Sequence, residues 1–386
     1  MPSSGEESGS INVLLNARPL NTVFTGVARY VRTLYQHIIA LELAKISYFC
    51  NGRVTHIMPR QSRDAMSRHF PAWARDIARV SRVVVENLVL ARHFRENRFD
   101  VYHETGLLPL TTSDSVPTVF TIYDLSLITH PECHPPDRVR HFERYFYKRL
   151  PVVEHIVTIS EFIRGEIVAM LDVPPEKVTA IPLAGSSVFY KRKGEDVRRY
   201  IDANRIPQRY VLTVGTREPR KNLIGLVHAY AEINTDIPLL CVGWSGWMNE
   251  TLPTEIERLR LKGKVKLLGH VDDESLALLY SGALASVYPS LYEGFGLPIL
   301  EAMACECPVV CSDCSSMPEV AGGAAHLIDP TDEQDIARGL SEMMSDSTLR
   351  QFCIDKGRDR ARQFSWDNTA RRTVEVFQGV ASRGAS

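Results

Sequence analysis

The hydrophobic positions of the 386-residue chain fall into two alternating rhythms. Short apolar runs such as "SINVLLNA", "DVYHE" from Asp100, "VPTVFTIYD" from Val116, "HIVTIS" from His155 and "KVTAIPLA" from Lys177 predict strands. Between them lie amphipathic stretches. Val27, Val31, Leu34, Ile38 and Leu41 recur at three- and four-residue spacing, and "PDRVRHFERYFYKRLP" and "SEFIRGEIVAML" are similarly helical. Strands alternating with helices of this length imply parallel βαβ units.

The rhythm restarts after the charged segment "YKRKGEDVRRYIDANRIPQR". Here "YVLTVGT", "PLLCVGW", "VKLLGH", "ALASVYPS" and "CPVVCSD" are strand-like, each followed by a helical stretch. The fold class is therefore α/β, with two doubly wound units facing across a cleft. The chain divides into residues 1–204, 205–364 and a terminal helix over 365–386, capped by Ser365 or Asp367. A chain of this length exceeds one core, in keeping with units of roughly 150–200 residues. In open sheets of this kind ligands bind outside the carboxyl ends of the strands.

Charge adds one asymmetry. The formal net charge is −1, which gives no argument for nucleic acid. Residues 1–200, however, carry 26 Lys and Arg against 21 Asp and Glu, while the remainder carries 19 against 25. Nine arginines lie between Arg60 and Arg98, interleaved with Phe70, Trp73 and Leu88. This segment reads either as a surface drawn to anionic lipid or as a solvated helix face whose Arg stems cover apolar groups. No run of about 18 apolar residues predicts a membrane span. "MPSSGEESGS" reads as a frayed tail and not a signal peptide. A cytoplasmic location follows, with a peripheral place on the inner face of the plasma membrane as an extension. Eight cysteines then read as reduced thiols. Cys305, Cys307, Cys311 and Cys314 could be spaced for zinc, but a helix packing into a strand uses such residues as small hydrophobes.

Candidate chemistry centres on "PSLYEGFGLPILEAMACECPVV", residues 289–310. Glu293 precedes, and Glu301 follows, a glycine turn that opens a helix with Pro298 in its first turn. Two carboxylates so placed could be an acid/base pair, a metal site or a grip on hydroxyl groups. The amides of Phe295, Gly296 and Leu297 sit at a helix start suited to an anion, and Gly294 and Gly296 permit close backbone approach. "VGTREPRKNLIGLV" supplies the cations Arg217, Arg220 and Lys221 just after a strand. Cations beside a helix start oppose its dipole and so call for an anionic partner. Together these features describe a site for a nucleoside-diphosphate sugar.

At these residues the chain resembles the retaining glycosyltransferases of family 4, whose GT-B fold implies that the terminal helix over 365–386 crosses back to the first unit. "EGFGLPILE", "GTREPRKN", "GHVDDESLALLYSGALASVYPS" and "PVVCSDCSSMPEVAGGAA" carry the likeness over residues 208–380. "TGVARYV", "TIYDLSLITHPE" and "IVTISEF" extend it toward bacterial enzymes of O-antigen and exopolysaccharide assembly, many of them mannosyltransferases. The resemblance implies that Glu293 holds the transferred sugar, Glu301 the ribose, Lys221 and Arg220 the pyrophosphate, and a Gly26 amide the donor phosphate. Leu268, Gly269, His270 and Val271 would lie along the base. It further implies a GDP- or UDP-sugar donor, with mannose from GDP-mannose foremost, and a glycan or lipid-linked glycan acceptor. The leaving diphosphate would be neutralised without metal or other cofactor.

Two positions depart from the pattern. Thr216 stands where the family often has arginine, so Arg220 or Arg217 must substitute. Tyr123 stands where a histidine often precedes Asp124, and tyrosine is a poor base at neutral pH. His103 and His130 join Tyr123 and Asp124 as acceptor-side candidates, and Glu319 reads as a brace for its loop. The same departures admit a non-catalytic scaffold that keeps the fold.

Overall fold

The computed structural model of the protein describes residues 10–21, 26–59, 85–110, 116–248 and 250–384. Most of the Arg-rich segment, residues 60–84, lies outside the described residues; 85–96 form a helix.

Two sheets organise the chain. The first joins β1 (Asn12–Asn16), β2 (Lys45–Cys50), β3 (Arg53–Thr55), β4 (Val101–Glu104), β5 (Thr118–Ile122), β6 (His155–Thr158) and β7 (Val178–Ala180) in the order β3-β2-β1-β4-β5-β6-β7. The second joins β8 (Val211–Val214), β9 (Leu239–Val242), β10 (Val265–Gly269), β11 (Ala285–Tyr288), β12 (Val309–Ser312) and β13 (His326–Ile328) in the order β10-β9-β8-β11-β12-β13. Every pairing is parallel except β2 with β3. That hairpin turns through Asn51 and Gly52, both at positive φ, the conformation that favours Asn-Gly in tight hairpins. Strands β5, β9, β11 and β12 are buried along their whole length because helices cover both faces.

In each sheet the strand order reverses beside the first strand, between β1 and β4 and between β8 and β11. Those reversals open crevices at the strand carboxyl ends. The two crevices face each other, since residues after β5 touch residues after β11 (below).

The terminal helix Trp366–Gly384 returns to the first lobe. Trp366 packs against Tyr30 of the helix Gly26–Ala40, with ring centroids 6.2 Å apart. Thr369 Oγ1 donates to the Pro182 carbonyl (2.7 Å) and Arg372 to that of Ala180 (2.9 Å). Asp367 lies inside the first turn and meets His37 at 2.6 Å.

The sequence reading put the lobe boundary at 204/205, and here the packing differs. The helix Gly194–Ala203 belongs to the second lobe. Its apolar stripe, Val197 and Ile201, closes over Gly282 so tightly that a Cβ there would lie 2.8 Å from Val197 Cγ1. Lys191 and Arg192 already bond Ser281, so the chain has crossed before Gly194. Cys305 and Cys307, between the helix Leu297–Ala304 and β12, and Cys311, within β12, are buried thiols, and burial pushes that of Cys305 up to about 12.

Candidate active site

The turn from β11 into the helix Leu297–Ala304 is held by three serines, one ending β12 and two just after it. Ser312 Oγ donates to the Ser290 carbonyl (2.7 Å), Ser315 Oγ to that of Glu293 (2.7 Å), and Ser316 Oγ to those of Glu293 (2.9 Å) and Phe295 (2.8 Å). Buried carbonyls that no strand or helix can satisfy are thereby paired. Gly296 precedes the helix at φ +105°, where a side chain would strain the backbone, and Pro298 sits in the first turn. Phe295 turns inward onto Phe364, and Leu297 packs partly into the core.

This frame points Glu293 at the cations that follow β8. Glu293 Oε1 accepts from Lys221 Nζ (2.5 Å) and from the Tyr288 hydroxyl (2.8 Å), and Oε2 accepts from Arg220 Nη1 (2.9 Å). Lys221 also reaches Tyr288 Oη at 2.9 Å, and Arg220 Nη2 reaches Glu218 at 2.7 Å. Burial would raise the Glu293 pKa, but Lys221 and Arg220 outweigh it and hold the carboxyl down at about 2. Desolvation works against the Arg220 charge, while Glu293, Asp124 and Glu218 raise its pKa above the usual value. Arg217, Lys221 and Tyr288 line one small cavity at the ends of β8 and β11. Thr216 packs against Gly246, where a Cβ would lie 2.8 Å from its Cγ2.

The opposite wall comes from the first lobe. A Cβ on Gly294 would fall 2.1 Å from the Tyr123 carbonyl oxygen, so the lobes meet here backbone to backbone. Ser160 Oγ donates to the Gly294 carbonyl (2.8 Å), and Tyr292 Oη donates to Glu166 (2.5 Å). The Glu319 carboxylate accepts from the Glu161 and Phe162 amides (2.9 and 3.0 Å). It thus caps the helix Glu161–Met170 from across the cleft, where a negative group meets the positive end of the helix dipole. Tyr123 donates to the Thr105 carbonyl (3.1 Å), and burial keeps its phenol protonated. Asp124 accepts from Ser126, whose hydroxyl also bonds His134 Nε2 at 2.8 Å.

Glu301, one turn into its helix, is buried and faces the first lobe. Arg29 of the helix Gly26–Ala40 lies 3.2 Å from it and 2.7 Å from Asp273. Burial raises the Glu301 pKa to about 7; Arg29 opposes the rise and Asp273 adds to it. At the end of β10, Gly269 takes φ +73°, His270 stacks on Trp244 at 4.4 Å, and Leu268 and Val271 pack partly into the core.

The remaining candidates separate. Gly26 opens its helix, and among the described residues nothing lies within 4 Å of a Cβ built there. His130 lies against the Tyr292 ring at 4.8 Å, at the edge of the lobe contact. His103 does not reach the cleft. Fully buried in β4, it bonds Tyr35 (2.7 Å) and Thr121 (2.8 Å) and packs on Phe377, with burial lowering its pKa to about 3. An acceptor-side role for it is therefore set aside; its period-two place in a buried strand explains its position. Sequence reading missed Arg29, Tyr288 and Tyr292, which join the site through Glu301, Lys221 and Glu166, partners 272, 67 and 126 positions away. Among the described residues no group of three or more His, Cys, Asp or Glu is placed to hold a metal ion. Nor is any helix among them long and apolar enough to cross a membrane.

Comparison with known proteins bears on this geometry. A family model described as Glycosyltransferase Family 4 matches residues 24–184, and one described as Glycosyl transferases group 1 matches residues 197–360. The chain is 33% identical over 384 residues to the O-antigen chain mannosyltransferase B of Escherichia coli, covering 95% of this chain and all of the relative. The protein belongs to glycosyltransferase family 4. Solved structures agree on the GT-B fold of this glycosyltransferase. The sucrose-phosphate synthase of Thermosynechococcus elongatus superposes with TM-score 0.75 at 18% identity, over 97% of this chain and 100% of that one. Anabaena HepE in complex with UDP and glucose gives TM-score 0.68 at 17% identity, over 96% and 100%. In the glycosyltransferase frame, the Glu293 cluster sits at the strand-order reversal of the second sheet, against the wall of the first.

Proposed function

We propose that this glycosyltransferase moves a mannosyl residue from GDP-mannose to a glycan or lipid-linked glycan acceptor in O-antigen or related polysaccharide assembly, with retention at the anomeric carbon and without a divalent metal. One observation carries the reading: a buried carboxylate, Glu293, neutralises two cations that stand ready for an anion. Lys221 and Arg220 bond the Glu293 and Glu218 carboxylates, the Tyr288 phenol and the Tyr292 carbonyl. A donor diphosphate takes over those cations, and Glu293 is released to accept hydroxyl hydrogen bonds from the sugar. Positive side chains already in place then stabilise the charge that develops as the sugar–phosphate bond breaks. The acceptor hydroxyl attacks from the same face and passes its proton to the leaving phosphate oxygen. That route asks no general base of Tyr123, which suits a phenol that stays protonated.

The mannosyl assignment is supported by the relative in Escherichia coli, which is named as an O-antigen chain mannosyltransferase. A nucleotide donor is supported by HepE, whose structure holds UDP and glucose. The test is transfer by the purified chain, with GDP-mannose compared against UDP- and ADP-sugars in thermal-shift and product assays. A bound donor raises melting by mass action. Glu293→Ala should abolish transfer while melting stays cooperative; near-normal turnover would reject the site. A response to a UDP-sugar and none to GDP-mannose would reject the mannosyl donor.

A further inference from the structure

Trp244 is half exposed, at 51%, although it stands at the carboxyl end of a buried strand. Its indole stacks on His270 with centroids 4.4 Å apart and planes 14° from parallel. The pair is built rather than incidental. Arg217 N donates to the Trp244 carbonyl (2.9 Å), and Arg217 forms a parallel bridge with Ser245. Gly243 N donates to the Gly269 carbonyl (2.8 Å), and a Cβ on Gly243 would lie 1.9 Å from Gly215 O. These contacts lock the ends of β8, β9 and β10 together and fix the ring pair on top.

The strand order decides what lies beneath. β9 stands between β8, whose loop carries Arg217 and Lys221, and β10, which ends at Gly269. Adjacent strands are roughly 5 Å apart. The rings therefore begin one to two strand spacings from the cation loop, within the reach of a ribose from its diphosphate. An aromatic surface held at that distance meets a flat, weakly polar group, and a nucleobase has a π-face to offer.

We propose that Trp244, backed by His270, is the stacking platform for the donor's nucleobase and favours a purine over a pyrimidine. Two fused rings cover more of an indole than one. This rests on the reading that Lys221 and Arg220 take the diphosphate, so the test must separate the two ideas. Inorganic pyrophosphate does so, because it carries the charge without the base.

The experiment is calorimetric titration of the full-length protein with GDP, UDP and inorganic pyrophosphate. Trp244→Ala should weaken GDP about fivefold to a hundredfold, weaken UDP less, and leave pyrophosphate unchanged. Trp244→Phe, which keeps a π-face, should retain most of the GDP affinity. Unchanged GDP binding by Trp244→Ala would overturn the proposal, as would equal losses for GDP and pyrophosphate, which would mark a collapsed loop. Tighter binding of UDP than GDP by the wild type would overturn the purine preference. Wild-type protein that binds GDP and UDP but not pyrophosphate would refute the cation reading and leave the platform to be judged on the Trp244 variants. Binding of none of the three would remove both.

Discussion

Glu301→Gln should make the empty protein more stable near pH 8 and leave it almost unchanged near pH 4. Glu301 is 4% exposed, and its pKa is raised from the ordinary 4.5 to about 7. Burial is the chief cause, and the Arg29 guanidinium at 3.2 Å only partly offsets it. A carboxyl whose folded pKa lies above its unfolded one holds its proton more tightly in the fold. Below pH 4.5 it is protonated in both states and costs nothing. As pH rises from 4.5 to about 7 the unfolded state loses its proton while the folded state keeps it, so stability falls across that window and levels off above it. The rise from 4.5 to about 7 corresponds to about 3 kcal/mol. Glutamine copies the protonated form in shape and charge, so the variant escapes that penalty.

Melting of the ligand-free wild type and Glu301→Gln at both pH values is the assay. For a lobe of this size each kcal/mol moves the midpoint by roughly 2–4 °C, so the variant should gain several degrees at pH 8 alone. If Glu301 accepts ribose hydroxyls, the same change should weaken the donor about tenfold, because a charged acceptor bonds more strongly than an amide. Stability would then be gained at the expense of binding. An equal melting difference at both pH values, or a loss confined to pH 8, would refute the argument that burial dominates Arg29.

Two further outcomes follow from the lobe contact. Gly294→Ala places a methyl 2.1 Å from the Tyr123 carbonyl oxygen and should force the lobes apart; small-angle scattering should show a larger radius and turnover should collapse, with each lobe still folded by circular dichroism. Glu319→Ala removes a cap from the helix Glu161–Met170, which costs about 0.5–2 kcal/mol. Since the cap spans the cleft, KM for donor should rise more than kcat falls, and unchanged scattering with unchanged KM would show that Glu319 braces nothing.

The strands were legible because parallel sheets covered on both faces need continuous apolar runs, and "VPTVFTIYD" and "ALASVYPS" are such runs. The turn at Gly294–Gly296 was legible too, because a glycine pair before a proline leaves few other conformations. The β2–β3 hairpin could have been found from its Asn51–Gly52 pair but was passed over. Gly194–Ala203 was given to the wrong lobe because an amphipathic stripe states that a helix is half buried and does not state against what.

The sequence by itself determined two α/β units, a terminal helix and a cluster of charges around one glycine turn, since these depend on period, propensity and turn chemistry within about twenty residues. Only the tertiary structure decided which charges neutralise one another. Arg29 reaches Glu301, Glu319 caps a helix of the opposite lobe, and His103 is sealed beneath Phe377. Pairing and burial are set by three-dimensional distance and local dielectric, and a linear chain encodes neither until it has folded.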